Sequence, residues 1–210
     1  GGDQGQRAAI TPASIGFGAH RLQPGATGGR ATGRFCEVGS AGQMVVGPRI
    51  VNDAERSPKP VLTVKECFVH SSNVGMSKLA YKAFGNNPKR FKDYLHNYFL
   101  DVKSPVDLTD VPKPRLAPFE KNAGGTMNMI TMSFGYAIQV SPLHTLTLYN
   151  AIANDGKMMK PYLVNRIERD GLPYRAFQPI VLAESICKPS TVKAARESME
   201  AVITEGTGRP

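Results

Sequence analysis

The stretch Leu62–Leu79, LTVKECFVHSSNVGMSKL, holds two helix signals on either side of a polar triplet. Thr63 and Glu66 form a T-x-x-E capping box, in which each side chain satisfies an orphan backbone donor of the other's residue. A short helix running to about His70 follows from it. Beyond Ser71-Ser72-Asn73, the residues Met76, Leu79, Ala80, Ala83 and Phe84 recur at i, i+3, i+4, i+7 and i+8, and Gly85 supplies a stop. The triplet is therefore gripped between two helices. Such a mount suits groups that must be held still for chemistry. Spacing alone favours a Ser71 or Ser72 that simply caps the second helix.

Downstream, Asn87 and Pro88 mark a third helix start, with Phe91, Tyr94, Leu95, Tyr98 and Phe99 along one side. Residues 101–122 are proline-rich and read as an irregular connection, with Val106-Asp107-Leu108 as a short edge piece. Ser141-Pro142 opens a helix that is apolar nearly all round and ends at Asp155-Gly156, which predicts deep burial. Tyr162 to Ile167 reads as a strand and Asp170-Gly171 as a turn. Ser190 reads as the cap of a last helix carrying Val192, Ala195, Met199, Val202 and Ile203. Upstream, Val45, Val46, Ile50 and Val51 suggest two extended pieces around Gly47-Pro48.

The 210 residues suffice for one domain with a core, and 41% hydrophobic with 20% charged residues is ordinary for a globular chain. Residues 1–34 stand apart. They hold nine of the 21 glycines, four arginines and one acid, without apolar period, and read as a head outside the folded part, which runs over 35–210. The formal charge of +9 is spread along the chain, and no nucleic-acid recognition motif appears, so no nucleic-acid partner is expected. Cys36, Cys67 and Cys187 make no CxxC pair, and the four histidines share no ligand spacing, so neither a metal nor a cofactor is implied. His144, inside the apolar helix, reads as a satisfied core histidine rather than a general base. No apolar run reaches the ~18 residues of a membrane span, so an anchor is expected outside this chain.

Taken together, residues 62–79, Thr131-Met132-Ser133-Phe134-Gly135-Tyr136, SPLHTLTLYNAIANDGKMMKPYLV over 141–164 and Glu205-Gly206-Thr207-Gly208 resemble, in order, segments of the class B penicillin-binding proteins of the septal division type. The resemblance covers about Glu37 to Pro210. It implies an α/β fold of the α+β kind, the penicillin-binding protein and β-lactamase-like transpeptidase fold, here partial and mostly its helical subdomain. It implies a serine-type D,D-transpeptidase that cross-links peptidoglycan through D-Ala-D-Ala stem peptides. In that family an S-x-x-K serine attacks, its lysine is the base, and S-x-N and K-T-G complete the site. By this resemblance Ser71 relays a proton and Asn73 hydrogen-bonds the substrate amide and the lysine, while Ser72, Phe134 and Tyr136 lie along the substrate. The implied partners are stem peptides or their lipid-linked precursor, β-lactams and membrane proteins of the divisome, on the periplasmic face of the inner membrane.

One departure matters. The family's S-x-x-K lies on the order of fifty residues before S-x-N, which here falls in the glycine-rich head, where no such motif stands. Its nearest echo, Gln23-Pro24-Gly25-Ala26-Thr27, lacks the hydroxyl and the lysine. Ser185-Ile186-Cys187-Lys188 and Ser190-Thr191-Val192-Lys193 match the pattern but follow S-x-N, the wrong order. Gly206-Thr207-Gly208 has no lysine before it and belongs ahead of the K-T-G strand. The expectation is a truncated domain, inactive alone and poorly soluble through exposed apolar faces. The alternative is a non-catalytic β-lactam sensor or degenerate scaffold of the division machinery.

Overall fold

The computed structural model describes residues 35–36, 43–47, 49–55, 59–118 and 123–209. The glycine-rich head and the 23–27 echo lie outside the described residues. In chain order the elements are β1 (Phe35–Cys36), β2 (Gln43–Val46), β3 (Arg49–Asn52), β4 (Leu62–Thr63), α1 (Val64–Val69), α2 (Asn73–Phe84), α3 (Pro88–Asn97) and β5 (Arg115–Leu116). There follow α4 (Ala123–Met132), β6 (Ile138–Gln139), α5 (Pro142–Ala153), β7 (Met158–Met159), β8 (Arg166–Arg169), β9 (Leu172–Ala176), β10 (Val181–Ala183) and α6 (Pro189–Thr204). The strands form antiparallel pairs, β1 with β4, β2 with β3, β5 with β6, β7 with β10 and β8 with β9. Helices carry most of the core, with α2 against α4 and α1 against α6.

The local signals around the triplet hold. Thr63 Oγ1 accepts from the Glu66 N–H at 3.1 Å, and Glu66 Oε2 accepts from the Thr63 N–H at 2.8 Å, so the capping box is closed at both ends. On α2 the expected face is turned inward, with Met76, Ala80 and Phe84 buried. Gly85 does end the helix, although in a right-handed conformation. It is needed there for space, since a Cβ would lie 2.6 Å from the Tyr81 carbonyl oxygen. On α3, Phe91 and Leu95 are buried, and Phe84 meets Phe91 and Tyr94 edge-on at 5.5 and 5.4 Å. The β2–β3 hairpin turns at Gly47, whose φ of 56° lies in the left-handed region, and Asp170 and Gly171 have positive φ at the tight turn of β8–β9.

Several expectations are corrected. Val106-Asp107-Leu108 forms no strand; the ladder in that connection is made further on, by Arg115–Leu116 with Ile138–Gln139. Tyr162 to Val164 is exposed and irregular, and the strand begins only at Arg166. Helix α5 is buried on one side only, through His144, Leu148, Ala151 and Ile152, while Leu146 is 52% exposed. Helix α6 starts two residues earlier than Ser190 suggested. Lys188 is its N-cap and Pro189 its first residue, because a proline needs no partner for the donor it lacks. Helix α4 has no counterpart in the sequence reading. Its Gly124-Gly125 start is a poor helix former, and burial of Met129, Ile130 and Met132 against the core holds it instead.

His144 is the satisfied core histidine that the sequence suggested. Its Nε2 lies 2.9 Å from the Val102 carbonyl, which can only accept, so Nε2 carries the proton and Nδ1 accepts from the Ser141 hydroxyl at 2.8 Å. Ser141 stands at the N-cap position of α5 but spends its hydroxyl on this ring rather than on the backbone. Large apolar side chains are exposed on the β8–β9 hairpin and its approach, Leu172 at 70%, Tyr174 at 69% and Leu163 at 63%.

Candidate active-site junction

The triplet occupies the joint between α1 and α2, and the hydrogen bonds there explain its shape. The Ser72 N–H donates to the Cys67 carbonyl at 2.9 Å and the Ser71 N–H to the Phe68 carbonyl at 3.1 Å. This crossed pair is a Schellman ending, which demands a left-handed residue at its penultimate position. That residue is Ser71, with φ 51°. A serine is unfavourable there by about 1 kcal/mol relative to glycine. The Ser71 hydroxyl meets a side chain from outside both helices.

Ser72 has a different task. Its side chain accepts from the Gly75 N–H at 2.9 Å, which caps α2, and donates to the carboxylate of Asp53 at 3.1 Å. It is 4% exposed. Both of these hydrogen bonds are made within the protein, to Asp53 and to the start of α2. Asp53 also accepts from the Val74 N–H at 2.9 Å and so holds a second donor at the start of α2. Burial pushes its carboxyl above the ordinary value, against the hydrogen bonds from Val74, Ser72 and Asn73 and the charge of Lys78. Beneath the joint, Gly75 allows α2 to lie on Cys67; a Cβ there would come within 2.5 Å of the Cys67 Sγ.

Asn73 is 8% exposed, and its Nδ2 donates to the Asn52 carbonyl at 3.1 Å. That carbonyl can only accept, which fixes the amide's orientation and leaves Oδ1 turned the other way. Among the described residues Oδ1 is buried without a hydrogen-bond partner. Leaving it so costs about 1–3 kcal/mol. The Ser77 and Ser104 hydroxyls are buried in the same way, and of the three acceptors Oδ1 is the one on the triplet.

Phe134 and Tyr136 are placed by the same device as Ser71. The Tyr136 N–H donates to the Thr131 carbonyl at 3.0 Å and the Gly135 N–H to the Met132 carbonyl at 3.1 Å, with Gly135 at φ 103°. Here the Schellman ending belongs to α4 and uses the glycine that such an ending prefers. Phe134 is buried in the core cluster that includes Val74 and Met76, and its ring meets Tyr136 edge-on at 5.5 Å. Tyr136 is 41% exposed. The sequence reading gave no site role to two residues of this region, Asp53 and Thr207, the latter read only as part of the segment ahead of the K-T-G strand. Thr207 Oγ1 lies 2.8 Å from the Ser71 hydroxyl, 136 positions along the chain.

The two late S-x-x-K matches are engaged elsewhere. The Ser185 hydroxyl donates to the Cys187 carbonyl at 2.7 Å, and Ser190 is exposed in the first turn of α6, where Lys193 reaches toward Glu197 on solvent. Among the described residues no group of histidine, cysteine and carboxylate side chains has the arrangement of a metal site.

The penicillin binding protein transpeptidase domain matches residues 41–210 of the chain. The chain belongs to that family. Among its relatives, the Caulobacter vibrioides protein named Probable peptidoglycan D,D-transpeptidase FtsI is 30% identical over 122 residues, which is 58% of this chain and 19% of that one. Stage V sporulation protein D of Bacillus subtilis is 26% identical over 148 residues, 70% of this chain and 22% of its own. The chain thus spans a minor part of the length of these relatives. Among solved structures, the apo transpeptidase domain of Burkholderia pseudomallei penicillin-binding protein 3 superposes with a TM-score of 0.72 at 23% identity, covering 95% of this chain and 54% of that one. Penicillin-binding protein A of Mycobacterium tuberculosis, as its imipenem acyl-enzyme complex, gives 0.72 at 18% identity, covering 92% and 43%. At these identities the likeness establishes the fold alone, which is the transpeptidase fold expected from the resemblance over about Glu37 to Pro210.

Proposed function

We propose that this transpeptidase-family chain supplies the S-x-N side of a serine D,D-transpeptidase site that cross-links peptidoglycan. The observation that carries the reading is the Oδ1 of Asn73, buried without a hydrogen-bond partner among the described residues, on the same helix joint that holds Ser71 in a left-handed conformation. In the reaction a serine hydroxyl attacks the carbonyl of the penultimate D-alanine of a stem peptide and gives its proton to a lysine. The C–N bond breaks, and the terminal D-alanine leaves with a proton relayed by Ser71. An amine of a second stem then attacks the ester, forms the new amide and frees the serine. Asn73 Oδ1 accepts a hydrogen bond from the lysine or from the substrate amide, while Nδ2 keeps the side chain anchored on Asn52. Tyr136, seated on Phe134, lines the cleft for the stem peptide. A β-lactam enters as a mimic of D-Ala-D-Ala.

The attacking serine is not identified among the described residues, so the 210-residue chain by itself is proposed to be inactive. Among those residues no helix is long and apolar enough to cross a membrane. The site is proposed to work on the periplasmic side of the inner membrane, alongside membrane proteins of the division machinery. Labelling with fluorescent penicillin tests the reading. The full-length protein carrying these residues is expected to label covalently, with Asn73→Ala slowing acylation on the order of a hundredfold. An intact full-length protein that takes no label would overturn the proposal, and label on the 210-residue chain alone would place the nucleophile within it.

A further inference from the structure

We propose that Thr207 is a positioning residue that sets the direction of the Ser71 hydroxyl; this rests on the relay role proposed for Ser71. The hydroxyls of the two residues are 2.8 Å apart. The turn after α6 is built to bring them there. The Thr207 N–H donates to the Val69 carbonyl at 3.3 Å, one of the acceptors left over at the C-terminal end of α1. Gly206 lies so close to the same carbonyl that a Cβ on it would come within 2.2 Å of the oxygen. On the other side of Thr207, the Gly208 N–H donates to the Val202 carbonyl at 3.0 Å, and a Cβ at 208 would lie 2.8 Å from the Ile203 Cδ1. Two glycines thus let the backbone press onto both helices, and the residue between them presents its hydroxyl to Ser71.

The chemistry asks for such a partner. A relay must accept a proton and then donate one, so its hydroxyl has to reorient between the two steps. A hydroxyl neighbour can donate to Ser71 in one state and accept from it in the other, whereas a carbonyl or an N–H could serve only one. Ser71 is already fixed at its backbone by the left-handed ending of α1, so the remaining freedom is the rotation of its side chain about χ1 and of its O–H, and the Thr207 contact restrains both.

The test compares Thr207→Val, which keeps the shape and removes the hydroxyl, with Thr207→Ser, which keeps the hydroxyl. Acylation of the full-length protein by fluorescent penicillin is resolved into initial binding and the acylation step. Thr207→Val is expected to slow the acylation step about tenfold with initial binding unchanged, and Thr207→Ser to stay within about threefold of the parent. In a Ser71→Ala background Thr207→Val should cost nothing further. Equal melting temperatures of the two Thr207 variants would separate this role from a structural one. Wild-type rates in Thr207→Val, a Thr207→Ser as slow as Thr207→Val, or a full additional loss in the Ser71→Ala background would each overturn the proposal. If the parent protein itself takes no label, the transpeptidase reading falls and this one with it.

Discussion

Replacing Gly75 by alanine probes the contact on which the joint rests. In an open helix the change would stabilise by about 1 kcal/mol, since glycine is the poorer helix former. Here the new methyl would stand 2.5 Å from the Cys67 Sγ, 2.9 Å from its Cβ and 3.0 Å from the Ser72 Oγ. None of these can step aside. Cys67 is fully buried and belongs to α1, and the Ser72 hydroxyl is held by Asp53 and by the Gly75 N–H. Overpacking at such a place costs about 1–3 kcal/mol, and pushing Ser72 off its cap adds about 1 kcal/mol more. The net expectation is a loss of about 1–3 kcal/mol. For a domain of this size that is a fall of about 2–12 °C in melting temperature, readable by thermal unfolding of the full-length protein. Cys67→Ala in the Gly75→Ala background removes the closest atom and should recover part of the loss. A Gly75→Ala protein that melts higher than its parent would show that α2 is not seated on Cys67 and would refute the packing described for the joint.

Ser71→Gly should be more stable than Ser71→Ala by about 1 kcal/mol in denaturant unfolding, since glycine relieves the left-handed conformation; equal stabilities would contradict the Schellman ending. The carboxyl of Glu66 is held down to about 2 from 4.5, chiefly by Lys59 and then by Thr63. Its contribution to stability is therefore fully present above pH 4.5 and lost as the pH falls through about 2. Glu66→Gln should flatten the acid limb of a stability profile over that window, and an unchanged profile would argue against the closed box. His144→Leu leaves the Ser141 hydroxyl and the Val102 carbonyl without the ring, for an expected loss of about 1–3 kcal/mol in thermal or denaturant unfolding. A neutral effect would mean that the ring holds neither group.

What was legible in the sequence was local. The capping box at Thr63 and Glu66, the inward face of α2 and the Asn87-Pro88 start of α3 each depend on residues within a few positions of one another, and each forms as read. The contacts that shape the site join distant positions. Ser72 meets Asp53 across 19 residues and Ser71 meets Thr207 across 136, and neither pairing leaves a periodic trace. The left-handed turn at Ser71 was hidden because serine gives no sign of it, while Gly135, which performs the same service for α4, does. The proline rule that located α3 and α5 would also have located α6 at Pro189; the serine beside it drew the cap two residues too late. Helix α4 escaped because its glycines argue against a helix and only the packed core argues for one.

The double role of Ser72 has a dynamic consequence. Its amide closes the end of α1 and its hydroxyl opens the start of α2, so neither end can fray without releasing the other. Ordinary helix ends open by themselves and exchange their amide hydrogens early. At this joint the amides of Ser72 and Gly75 should exchange together, through one shared opening, so the segment bearing Ser71 and Asn73 would keep its shape until α1 and α2 part.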